Sequence, residues 1–248
     1  NSFTHTIKTW FSLPMKKNKI TLHKRKYFQY SLMFLIVLCV LLLIMSFIGI
    51  FIGEFKWIPT TSMENTIMAR RLVWMDKTQY GARMPRRFCE IPMLNLCFYL
   101  VPQLYRFDQE IDWGYHRLRG TGMPNRGDII AFDSPRGEKL LLCKRIIGLS
   151  GDTIEVRHGR TYVNGHELKL PSTIKHTIEG DTIHSISFSR TPGWNTHNFG
   201  PFVVPYNKEF PCVFVLGDNR RNSMDSRTWG FIQYKNIVGR IIVGTPPR

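Results

Sequence analysis

Acidic residues are scarce in this chain: 18 Asp and Glu stand against 34 Lys and Arg, a formal net charge of +16. Residues 1–31 contain no acid at all, yet hold Lys8, Lys16, Lys17, Lys19, Lys24, Arg25 and Lys26. Such an imbalance points to nucleic acid or to an anionic membrane surface, and its placement decides between them. The cysteines are few and unpatterned. With no C-x-x-C pair and no Cys/His ligand spacing, the five of them exclude a zinc-finger-like framework. Cys39, Cys143 and Cys212 lie in apolar stretches; Cys89 and Cys97 are close neighbours, and in an oxidising compartment either thiols or a disulfide fits them. Also missing are a G-x-S-x-G elbow, a Walker A loop, H-E-x-x-H and a complete G-x-G-x-x-G. These absences remove the common hydrolase-elbow, P-loop, zincin and dinucleotide sites. A Ser–His–Asp triad is not removed by counting, since eight His are present. No internal repeat or low-complexity tract occurs.

What is present begins with LMFLIVLCVLLLIMSFIGIFIG, from about Leu32 to Gly53, without a charge or a proline. About 20 apolar residues cross a bilayer core of roughly 30 Å. A cleaved signal peptide also begins with basic residues before an apolar run. This run is longer than the 7–15 residues such a core takes, however, and Gly53-Glu54-Phe55-Lys56 offers no small-x-small cleavage site. The expectation is an uncleaved anchor over 28–54. The basic segment 1–27 then stays cytoplasmic, and 55–248 forms an extracytoplasmic domain. The charge is accounted for as a topology signal, with no nucleic acid as partner. The chain starts without Met, and Met15-Lys16-Lys17 reads as a start, so residues 1–14 are expected to be dispensable.

Beyond the anchor, short apolar runs alternate with turn signals. Leu72–Met75, Asp128–Phe132, Lys139–Ile147, Thr153–Val156, Thr161–Val163, Val213–Leu216 and Ile237–Val243 read as strands of a mainly antiparallel β domain. Arg157–His166 reads as a hairpin with His158-Gly159 at its tip. Two stretches fit poorly, about 79–125 and 166–210, and both read as insertions on the β core. Within the first, Leu94–Leu104 has the look of a short amphipathic or surface-lying element.

Three stretches could carry chemistry. Trp57-Ile-Pro-Thr-Thr-Ser-Met63 follows the anchor directly, and a Ser so close to the membrane could attack a substrate itself held there, given a base. Otherwise Thr61 or Ser62 simply caps a helix starting at Met63. The second stretch, Leu140-Leu-Leu-Cys-Lys-Arg-Ile-Ile147, supplies a candidate base. In a strand Lys144 shares a face with Leu142 and Ile146, and Arg145 with Cys143 and Ile147, so patterning does not choose between them. Chemistry favours Lys144, because a buried Lys can lose its proton and an Arg cannot. The third, Val213–Gly230, breaks at Gly217 into a loop dense in Asp, Asn and Arg, of the kind held by Asx turns and ion pairs.

Together, Ile58-Pro-Thr-Thr-Ser-Met63, Asn125-Arg-Gly-Asp-Ile-Ile130, Lys144-Arg-Ile-Ile-Gly-Leu-Ser-Gly-Asp152 and Gly217–Gly230 resemble, in order, the signature boxes of type I signal peptidases. The Tyr80–Pro85 insertion is similar to that of Bacteroidetes-type members. The resemblance implies a single transmembrane helix followed by an antiparallel β-sheet catalytic domain with two insertions. It also implies a Ser–Lys serine endopeptidase of the bacterial inner membrane that needs no metal, nucleotide or other cofactor. Its partners would be secretory precursor proteins with small residues at −1 and −3, membrane phospholipid and the secretion translocon. Ser62 is implied as nucleophile, Lys144 as general base, and Thr60 with the Ser62 N–H as oxyanion hole. Ser223 would hydrogen-bond and orient Lys144, while Asp218, Asp225 and Arg227 brace the loop. The sequence departs from the family where Thr61 stands for a common Gly, Asn65 for Pro, Arg70-Arg71 for Gly-Asp, and Arg221 for Asp. A peptidase specialised for one exported substrate, or an inactive tethered binding protein, would carry the same fold.

Overall fold

The computed structural model describes residues 19–137, 140–176, 191–209 and 211–243, with side chains from residue 26 onward. The expectation about residues 1–14 and the middle of the second insertion fall outside them. The chain forms two compact units, Asn1–Met45 and Ser46–Arg248.

Helix α1, Lys19–Phe47, continues as a wider turn over Ile48–Ile52. Leu, Ile, Met and Val dominate it, and from Leu32 to Phe47 these side chains are exposed on every face. By length and composition, Lys26–Ile52 can cross a bilayer.

Among the described residues the second unit has eleven strands: β1 Gly53–Ile58, β2 Arg71–Asp76, β3 Ile129–Asp133, β4 Leu141–Leu149, β5 Thr153–Arg157, β6 Arg160–Val163, β7 His166–Glu167, β8 Phe199–Val203, β9 Cys212–Leu216, β10 Ile232–Gln233 and β11 Ile237–Ile242. They pair antiparallel in a seven-stranded sheet, order β1-β2-β11-β3-β4-β9-β10, and a four-stranded one, order β7-β6-β5-β8. Each run expected to be a strand is one. Four strands were not anticipated: β1, β8 and the two-residue β7 and β10. β1 runs straight on from the apolar helix, so its start is masked by hydrophobicity; Gly53 permits the switch, since a Cβ there would lie 2.4 Å from the Met75 carbonyl. β8 lies inside the second polar stretch and pairs with β5, so part of 166–210 belongs to the β core.

The hairpin turn falls at His158-Gly159, with φ of 49° and 75°, as the right-handed twist of the flanking strands requires. Strand β4 is the pivot of the fold. Ile146 enters the apolar cluster around Phe132 and Val215, while Ile147 enters the one around Ile154 and Phe214. Because β4 is buried on both faces, the polar side chains it carries are buried too.

The first insertion folds as a short 3-10 turn at Phe88–Glu90, helix α2, Leu94–Leu100, and helix α3, Pro102–Gln109. Cys89 and Cys97 are free thiols, not a disulfide. Helix α4, Ser226–Trp229, is capped by Asp225.

Candidate functional site

Ser62 stands four residues beyond the end of β1, after Pro59 has forced extended backbone. No helix starts at Met63. The chain instead makes turns in which Glu64 N–H donates to Thr61 and Ile67 N–H to Met63. Two departures from the family pattern explain themselves here. Asn65 has φ 75°, which proline cannot adopt, and Arg70 has φ 59°, the left-handed region where a glycine is at ease.

Lys144 projects from β4 to meet this turn. Its Nζ lies 2.7 Å from Ser62 Oγ and 2.9 Å from the Cys143 carbonyl oxygen. Ser62 is 8% and Lys144 3% exposed. Burial pushes the Lys144 ammonium well below its ordinary value, and the Arg227 charge lowers it further against the opposing pull of Asp225 and Asp218. The two basic residues of β4 take different partners. Arg145, equally buried, turns the other way into a bidentate pair with Asp218, at 2.8 and 2.6 Å, and donates to the Gly127 carbonyl at 2.7 Å.

The loop after β9 holds the rest. Asp225 receives Arg227 at 2.8 and 2.9 Å and the Gly217 N–H at 3.0 Å, all buried. Burial alone would raise the Asp225 carboxyl, but Arg227 and the hydrogen bonds hold it below the ordinary range. Arg220, also buried, has no carboxylate partner among the described residues. Both acids of the loop are thus committed to guanidiniums, and at Lys144 itself burial is the largest effect, favouring the neutral amine.

The loop also grips the serine's backbone. Asn219 N–H donates to the Ser62 carbonyl at 3.0 Å, Asn219 Nδ2 to the Thr61 carbonyl at 3.2 Å, and Asn222 Nδ2 to Thr61 Oγ1 at 2.8 Å. Gly217 makes this approach possible, since a Cβ there would lie 2.6 Å from the Ser62 carbonyl and 2.0 Å from Ser223 Oγ. The start of the second insertion adds a brace. Lys175 N–H donates to the Asp218 carbonyl, and its Nζ pairs with Glu64 at 2.9 Å. Sequence reasoning missed Asn219, Asn222, Lys175 and Glu64. The polar density of the 217–230 loop signalled that it is held together, without signalling that it holds Ser62.

Thr60 Oγ1 lies 3.3 Å from Ser62 Oγ. Among the described residues, the Ser62 N–H donates to no protein acceptor, as an oxyanion donor requires. One expected contact is not formed. Ser223 Oγ is buried without a hydrogen-bond partner, against Gly217, instead of bonding Lys144. The amine meets Ser62 and the Cys143 carbonyl instead. No group of three or more His, Cys, Asp or Glu able to hold a metal occurs among the described residues.

A buried serine hydroxyl in contact with a desolvated lysine amine, on an antiparallel β scaffold, has the parts of a covalent hydrolase that works without histidine. The family model "Signal peptidase, peptidase S26" matches residues 29–244, and the chain belongs to that family. It is similar to signal peptidase I S of Bacillus subtilis (strain 168), 39% identical over 125 residues, covering 49% of this chain and 59% of that one. It is also similar to signal peptidase I of Buchnera aphidicola, 25% identical over 92% of this chain and 79% of that one. A crystal structure of a signal peptidase I from Enterococcus faecalis V583 has a TM-score of 0.34 and 32% identity. That match covers 48% of this chain and 96% of the other. Matches to the Bacillus relatives span about 60% of those proteins' lengths.

Proposed function

We propose that this protein is a membrane-anchored serine endopeptidase that removes signal peptides from secretory precursors after small residues, with Ser62 as nucleophile and Lys144 as general base. The observation that carries this reading is the 2.7 Å approach of Lys144 Nζ to Ser62 Oγ at a site where burial depresses the lysine pKa. A neutral amine at that distance takes the hydroxyl proton as Oγ attacks the carbonyl carbon of the −1 residue. The Ser62 N–H and the Thr60 hydroxyl then receive the oxyanion. Lys144 passes its proton to the leaving amine and activates the water that releases the acyl-enzyme.

The fold offers the substrate a place. Strand β1 is an edge of the seven-stranded sheet, and an extended peptide paired along it is led towards Ser62. Ile58 and Met63, buried beside the serine, suit the apolar wall that small −1 and −3 side chains need. The anchor at 28–54, with a cytoplasmic basic segment before it, would hold the domain 55–248 at the outer face of the inner membrane. There a cleavage region emerges from the translocon, surrounded by phospholipid. Names of relatives such as signal peptidase I point the same way.

The test is cleavage of a purified secretory precursor by the detergent-solubilised full chain, beside folded Ser62→Ala and Lys144→Ala variants. Cleavage after the small −1 residue by the wild type alone supports the proposal. Equal behaviour of all three moves the inactive tethered binding protein to the front.

A further inference from the structure

The first insertion exposes far more apolar surface than a water-facing loop carries. On α2 and α3, Leu96, Tyr99, Leu100 and Phe107 are between 58% and 72% exposed. This is not an unfinished core, because the insertion already has one. Phe88 stacks on Phe98 with centroids 5.5 Å apart and meets the Trp113 edge at 4.8 Å. Asp108, fully buried, accepts the Phe88 N–H at 2.8 Å and ties the two ends of the insertion together. The apolar side chains left over point outward from a module whose inner side is satisfied.

Its place in the fold says what covers that face. Ser46 Oγ donates to the Pro92 carbonyl at 2.5 Å, and a Cβ on Gly49 would lie 3.0 Å from the Pro92 ring. Ser46 and Gly49 belong to the last two turns of the apolar helix. The apolar run ends at about Gly53, so Ser46 and Gly49 stand in its outer end and Pro92 is held there with them. Helix α2 begins two residues later. Exposed Tyr99 and Trp113 are side chains that favour this interface.

We infer that α2 and α3 form a second membrane contact, lying in the outer headgroup–acyl boundary beside the anchor with Leu96, Tyr99, Leu100 and Phe107 in lipid. The inference rests on the anchoring proposed above. It fixes the catalytic unit against the bilayer at two points instead of one, which sets the height and tilt at which the β1 edge meets an emerging chain.

Cys97, exposed on α2, provides the probe. The full chain with C39A and C89A, labelled at Cys97 with a small fluorophore, is reconstituted into phosphatidylcholine–phosphatidylglycerol vesicles. Quenching is read with lipids spin-labelled near the headgroup, with lipids spin-labelled deep in the acyl chain, and with aqueous iodide. One control carries the label on Cys39 with C89A and C97A, and a second carries it on an exposed β7 position as H166C in a C39A, C89A, C97A chain. The expected result is a Cys97 label quenched by the shallow spin label and several-fold less accessible to iodide than the label at 166. If the Cys39 label is quenched by lipid while the Cys97 label behaves like that at 166, the insertion faces water and the inference falls with the anchor intact. Shielding of Cys97 from all three quenchers would also overturn it, because protein and not lipid would then cover the face. An unquenched Cys39 label removes the anchoring and the inference together.

Discussion

Lys144 Nζ meets Ser62 Oγ at 2.7 Å although 82 positions separate the two residues. The contact is made between a turn beyond an edge strand and the doubly buried pivot of the sheet. Ser62 cannot move far without disturbing the loop that holds its backbone. Burial that costs stability at Lys144 is also what lowers the pKa of its amine, as the proposed role of base requires.

That link has a measurable sign. The unfolded chain binds a proton at Lys144 over a pH range where the folded chain does not, so stability rises with pH from the depressed folded pKa up to about 10.4, the unfolded value. Lys144→Met is expected to be inactive yet more stable at pH 7, by about 1 kcal/mol or more. Its advantage should vanish near pH 10.4. Denaturant unfolding at several pH values checks this. The rate of cleavage by the wild type should in turn fall about tenfold per pH unit below the folded Lys144 pKa.

Thr60→Val is expected to lower kcat by about 10²–10³ with little change in stability, since Thr60 is exposed and the proposed role of its hydroxyl is to receive the oxyanion. Steady-state kinetics beside a thermal melt separates the two effects.

Ser223 has a buried hydroxyl without a partner, a cost of about 1–3 kcal/mol that a resting structure gains nothing by bearing. Ser223→Ala should leave stability unchanged or raised. If the hydroxyl finds Lys144 only during the reaction, kcat should fall by at least about tenfold, roughly 1.4 kcal/mol. Kinetics and unfolding of the one variant test both halves.

Asp218→Ala strands the Arg145 guanidinium in the protein interior. Breaking a buried pair by removing one partner costs about 3–5 kcal/mol, so this variant should unfold at markedly lower denaturant. The loss of activity should follow the loss of folded protein.

Arg70 is exposed and held at φ 59°. Arg70→Gly should therefore raise stability by about 1 kcal/mol without altering activity, because only the left-handed penalty is removed.

Most of this architecture was legible. The anchor, the His158-Gly159 turn and strands β2 to β6, β9 and β11 follow from apolar runs and turn residues. Strand β1 was hidden because it continues an apolar helix, and β8 because its Phe, Gly and Pro lie in a polar stretch. At the site, alternation could not separate Lys144 from Arg145, since both faces of β4 are buried and period-2 patterning carries no information there. The hold of Asn219 and Asn222 on Thr61 and Ser62 depends on a close approach across 158 and 161 positions, which no local pattern records. The insertion's apolar face was visible as Leu94–Leu104, but the Ser46–Pro92 contact that ties it to the apolar helix was not.

The most direct measurement is mass mapping of the full chain, acid-quenched during cleavage of a secretory precursor. The account predicts a peptide containing Ser62 that carries the signal-peptide fragment as an ester, absent from Ser62→Ala and Lys144→Ala. Precursor cleavage by either variant at the wild-type rate, with no adduct on Ser62, would contradict it.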